Sequence, residues 1–146
     1  TGVRVAADEG ITNAESIEQA VKLKAADAIV LKPAFLGGVR ATLELAEAAR
    51  HGFELVVHDP LQLALLEGHA GPQRFTLWLK IDTGMNRLGF RPEEFAAAYH
   101  RLQTLAVPAL EIRLLTHLAR ADELDCEMTR EQVARFRALL PSGVVT

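Results

Sequence analysis

A single cysteine, Cys126, in 146 residues excludes an intrachain disulfide and a cysteine-rich metal centre, and it suits a reducing compartment. No apolar run approaches the roughly 18 residues that a membrane-spanning helix requires. The opening TGVRVAADEG has no basic stretch ahead of an apolar one, so no secretory leader is expected and the cytoplasm is the expected location. Excess charge is scarce as well. A net charge of -3 and a pI near 5.9 give nucleic acid no electrostatic reason to bind. Lysine occurs only at Lys22, Lys24, Lys32 and Lys80, and tyrosine only at Tyr99. Linkers, low-complexity tracts and blocks of like charge are missing too. What remains is 49% apolar and 24% charged, the composition of a globular chain. Residues 1–146 are expected to form one domain, long enough to bury about two-thirds of its unfolded surface.

Short apolar runs alternate with amphipathic stretches. The runs are VRVAA (3–7), AIVL (28–31), LVV (55–57), FTLWLKI (75–81) and LEIRLLT (110–116), with a further one at Val144–Thr146. Phe95, Tyr99, Leu102 and Leu105 recur at helical spacing, as do Val133, Phe136 and Leu140, and each set predicts one buried helix face. TNAE (12–15) and TREQ (129–132) read as capping boxes, and Pro92 suits a first helical turn. A strand–helix series of this kind predicts an α/β fold of parallel βα units with five to six strands. Eight-unit barrels typically need about 250 residues. The expected architecture is therefore either a partial TIM-type barrel or an opened, doubly wound sheet. Either form leaves strand edges uncovered, which predicts self-association, most simply as a homodimer.

In both architectures reactive side chains collect where the strands end. Those ends carry Asp8 and Glu9, Lys32, His58 and Asp59, Lys80 and Asp82, and His117. Asp59 before Pro60 also suits a helix start, and Asp82 before Thr83-Gly84 suits a turn. The Gly37-Gly38 and Thr83-Gly84 turns offer a third possibility, a small-anion site at a following helix N-terminus.

Two stretches resemble known families. VAADEG followed by ADAIVLKPAFLGG (residues 2–52) is similar to the enolase superfamily, particularly its muconate-lactonising and o-succinylbenzoate synthase branch. That resemblance implies Asp8 as a Mg²⁺ ligand and Lys32 as a general acid/base. From about residue 53, VVHDPLQLALLE, LWLKIDTGMNRLGF and LLTHLARADE resemble alanine racemase, a pyridoxal-phosphate enzyme with a barrel domain. This second resemblance implies that Lys80, often carbamylated in that family, positions Arg87. It also implies that Arg87 contacts cofactor and substrate, and that His117 stacks on the pyridine ring. Leu118 departs from the phenylalanine usual after that histidine.

The two resemblances together imply an artificial chimera of barrel fragments, 1–52 and 53–146, joined near His51-Gly52. Counted against chemical requirements, neither reaction centre is whole. Racemisation needs a lysine that holds the cofactor covalently and a second base on the opposite face of the substrate. Tyr99, the one tyrosine, is expected on the apolar face of a helix. The enolase-type reaction needs several oxygen ligands for Mg²⁺, and only Asp8 is present. The expectation is thus a scaffold without catalytic function or bound cofactor. Lys32, Lys80, Arg87 and His117 would be vestigial catalytic residues, with Arg87 and His117 as vestigial cofactor contacts and Asp8 as a vestigial metal ligand. The rival expectation is a residual pyridoxal-phosphate-dependent isomerase in which Lys32 or Lys80 takes the covalent role.

Overall fold

The computed structural model describes residues 6–7, 19, 22–23, 28–30, 54–70, 72, 74–106 and 109–140. Asp8, Glu9, Lys32, Gly37-Gly38, the TNAE capping box and the run at Val144–Thr146 lie outside these residues. The described strands are β1 (Ala6–Ala7), β2 (Ala28–Val30), β3 (Glu54–Val57), β4 (Thr76–Ile81) and β5 (Glu111–Thr116). All pair in parallel, in the order β1-β2-β3-β4-β5. Each strand lies beside its predecessor, and the order nowhere reverses, as a doubly wound sheet would require. Sequential winding is the barrel arrangement. It decides between the two architectures expected from sequence.

Three described helices cover one face: α1 (Pro60–Glu67), α2 (Phe95–Gln103, entered through a 3₁₀ turn at Pro92–Glu94) and α3 (Glu127–Leu139). On β4 the pleat alternates strictly. Leu77, Leu79 and Ile81 are 0% exposed and meet Leu55 and Val57 of β3, Leu63 and Leu66 of α1, and Phe95, Ala98 and Leu102 of α2. Each such side chain contributes about 1.5–3 kcal/mol by leaving water. Thr76, Trp78 and Lys80 occupy the other face, where a barrel keeps its interior. Among the described residues, no helix is long and apolar enough to cross a membrane.

The helix signals held unevenly. Pro92 opens its 3₁₀ turn, and Phe95, Leu102 and Leu105 are buried as the spacing predicts. Tyr99 stacks on Phe95, centroids 5.4 Å apart, and packs against the core. TREQ is not a helix start: α3 begins at Glu127, capped at Cys126, so Thr129 already lies within it. The Thr129 hydroxyl instead donates to the carbonyl of Arg120 at 3.1 Å. The buried face of α3 also shifts by a residue, with Gln132, Phe136 and Leu139 turned inward.

Candidate functional site

β4 ends in a loop that folds back on its own strand. The Phe90 N–H donates to the Lys80 carbonyl (2.9 Å), and the Asp82 N–H donates to the Phe90 carbonyl (2.8 Å). Gly89 makes this closure feasible. Its φ is +127°, and a Cβ there would stand 2.8 Å from the backbone nitrogen of Asp82. Inside the loop, Asp82 Oδ1 accepts from the N–H groups of Gly84 (2.9 Å) and Asn86 (3.0 Å). Burial pushes the Asp82 carboxyl upward. The N–H groups of Asn86, Gly84 and Met85, with the charge of Arg91, outweigh that effect and hold it below the ordinary carboxylate value. The sequence-based turn reading of Asp82 is therefore correct. The anion-site reading of Thr83-Gly84 is not, because the Gly84 N–H is already used by Asp82 and the loop runs on to Arg91 before a helix begins. Arg87 stands exposed on this loop.

β5 delivers the second part. The Thr116 hydroxyl donates to the Ile81 carbonyl at 2.8 Å, which leaves it to accept from the Thr83 hydroxyl, also at 2.8 Å. The ends of β4 and β5 are thereby tied side by side. His117 follows immediately. Burial, then the positive charges of Lys80 and Arg87, lower its affinity for a proton. Lys80 and His117 thus stand at adjacent, cross-linked strand ends, with Arg87 on the loop that follows β4. At the end of β3, His58 lies one residue beyond the Val57–Leu79 pair, as Lys80 does on β4, whereas Asp59 serves the following helix. His58 is buried, and Asp59 is the N-cap of α1, accepting from the Leu61 N–H at 2.8 Å while the Gln62 side chain completes a capping box.

Sequence reasoning missed the supports of this rim. Gln132, 0% exposed, accepts from the Ala119 N–H (2.9 Å) and donates to the His117 carbonyl (3.1 Å). One turn on, Arg135 donates to the Thr83 carbonyl at 3.0 Å. No local signal marked them, because their partners are backbone atoms of other loops. Deeper on the interior face, Glu54 accepts from Trp78 Nε1 (2.6 Å) and from Arg113 Nη1 (2.9 Å). The Arg113 guanidinium lies 5.2 Å from the Trp78 ring centroid. In register this is one row across three strands, Val56–Trp78–Arg113, with Glu54 beside it. It places a charge-compensated layer below Lys80, two residues further along β4.

Chemically, the rim offers two cations beside an imidazole whose affinity for a proton is lowered, which suits an anionic, planar ligand better than a metal ion. Among the described residues, no group of three or more His, Cys, Asp or Glu side chains could hold a metal.

Comparison with known proteins gives one family. The profile of the alanine racemase N-terminal domain matches residues 4–142. An alanine racemase of Shewanella woodyi is 40% identical over 123 residues, covering 84% of this chain and 34% of its own length. One from Pseudomonas fluorescens is 43% identical over 122 residues, with the same shares, 84% and 34%. In structure, the biosynthetic alanine racemase of Pseudomonas aeruginosa superposes with a TM-score of 0.69 at 30% identity, over 88% of this chain and 34% of that one. The chain therefore spans about a third of the length of these relatives.

These matches overturn three expectations. The family match runs unbroken through residue 52, so neither an enolase-superfamily fragment nor a chimeric junction is supported. The physical reason is that every βα unit repeats an apolar strand, a polar strand end and an amphipathic helix, so DEG and KPAFLGG do not suffice to mark separate ancestry. An inert scaffold that is no enzyme is contradicted because the relatives are alanine racemases. The expectation of no cofactor falls with it, given the pyridoxal-phosphate chemistry that the resemblance implies. From residue 4 to residue 142, the chain belongs to the alanine racemase N-terminal domain family.

Proposed function

We propose that this chain supplies the barrel part of a pyridoxal-phosphate-dependent amino-acid racemase acting on alanine, and that Lys80, Arg87 and His117 are its cofactor-facing residues. One observation carries the reading: Thr116, next to His117, bonds to the Ile81 carbonyl and to the Thr83 hydroxyl, so the strand ends that bear Lys80 and His117 are fixed side by side. Pyridoxal phosphate, when bound, supplies the electron sink that makes the proton α to an amino acid's carboxylate removable. The chain's own residues fit such a group. The Arg87 guanidinium offers a donor fork to an anionic oxygen. His117, whose affinity for a proton is lowered, presents a flat ring face. Lys80, at the foot of the Asp82–Phe90 loop, would orient Arg87 once carbamylated, because the modification replaces an ammonium with an anionic acceptor for the guanidinium. The covalent lysine and the second base of a racemase are not among these three residues.

Residues 1–146 form one α/β unit in this proposal, and the unit works as a homodimer. Titrating pyridoxal phosphate into the chain and following the fluorescence of Trp78, the one tryptophan, tests the site. Saturable quenching is expected, weakened about tenfold or more by Arg87→Ala through loss of a charge-assisted hydrogen bond. No saturable quenching, or equal affinity in the variant, overturns the reading.

A further inference from the structure

We infer that Gln132 and Arg135 are positioning residues, through which α3 clamps the two rim loops and sets the spacing of His117 from Arg87. The inference rests on the functional reading above only for what the clamp serves. Its geometry is independent. Gln132 grips the chain on both sides of Leu118, donating to the His117 carbonyl and accepting from the Ala119 N–H. A primary amide carries its donor and its acceptor on separate atoms, so Nε2 and Oε1 can serve the two backbone partners at once. Its complete burial makes each lost bond costly, since no water replaces it.

Arg135 reaches the other loop. Its Nη1 donates to the Thr83 carbonyl and lies 3.0 Å from where a Cβ on Gly84 would stand, a tight contact at a residue whose φ of +140° already favours glycine. Its Nη2 is held by Glu131 at 2.9 Å. Thr83 is in turn tied to Thr116, the residue before His117. A closed circuit results: α3 to the β5 loop through Gln132, β5 to the β4 loop through the two threonines, and the β4 loop back to α3 through Arg135. Arg87 lies on the β4 loop that Arg135 holds, and His117 begins the β5 loop that Gln132 holds. Displacing one loop therefore changes the distance between them, and a displacement on the order of 1 Å at a site of this kind can cost a hundredfold.

Two readouts on the full 146-residue chain test the clamp. The His117 imidazole is titrated by NMR, its resonance assigned by its loss in His117→Asn. Gln132→Met, which is neutral and similar in volume, is expected to raise the midpoint by about half a pH unit as the ring moves away from Lys80 and Arg87 into water. If that variant does not fold, Gln132→Asn decides, because its shorter amide cannot span both backbone partners. A midpoint equal to wild type in a folded variant overturns the clamp. Separately, Arg135→Met is expected to weaken pyridoxal phosphate binding about tenfold, with Arg135→Lys restoring most of it; equal affinity in folded Arg135→Met overturns that arm. Should the wild-type chain bind no pyridoxal phosphate, the functional proposal fails alone, and the His117 midpoints still decide the clamp.

Discussion

Asp82 shows how much one short side chain does where a strand stops. Its carboxylate replaces the hydrogen-bond partners that the Gly84 and Asn86 N–H groups lose when β4 ends. Its folded proton affinity lies below the ordinary carboxylate value, so the contribution to stability is full above the unfolded pKa of about 3.9 and disappears as pH falls through the lower folded value. Asp82→Asn keeps an accepting oxygen but loses the charge. The stability gap between wild type and this variant, read from urea midpoints, is expected to be constant from pH 7 to about 5 and to narrow progressively as pH falls below about 4. A gap that does not narrow at all on acidification contradicts this account. The turn was legible from Asp-Thr-Gly alone. Lys80 and His117 could be placed at strand ends from the apolar runs before them, and Arg87 on the following loop from its motif. Gln132 was not legible, because its partners are backbone atoms of another loop, and nothing local in TREQ distinguishes a capping glutamine from a buried one.

At the level of elements, local signals succeeded where the chain caps itself and failed where packing sets the boundary. Asp59 and Gln62 form a reciprocal cap on α1 within four residues, so HDPLQ could be read directly. Asp59→Ala is expected to cost about 1 kcal/mol, visible as a lower urea midpoint with unchanged slope. No change in midpoint would mean that the Gln62 side chain, bonded to the N–H groups of His58 and Asp59, holds this end by itself. The start of α3 shows the opposite case. Thr129 and Gln132 have capping spacing, yet both bond to the loop between β5 and α3. That loop draws the helix back to Glu127, an outcome set by tertiary contacts that no window of four residues contains.

For the molecule as a whole, the period of strands and helices was enough to predict parallel βα units, and the order of pairing then selected barrel winding. Ancestry was less legible. Barrel units from unrelated enzymes share their hydrophobic pattern, so two resemblances looked like two sources where one family runs throughout. The outer edge of the sheet carries the expectation of a partner. Every residue of β5 is at least partly exposed, and among the described strands none pairs beyond it. Light scattering is expected to give twice the chain mass at micromolar concentration. A single-chain mass across that range rules the dimer out.

The unbroken order of pairing also bears on how the polypeptide acquires its shape. Because every strand docks against the one made just before it, a ribosome can release βα units that find their neighbour already waiting. Among the described strands each finds its partner in the unit made just before it, which shortens the exposure of apolar strands in a parallel sheet.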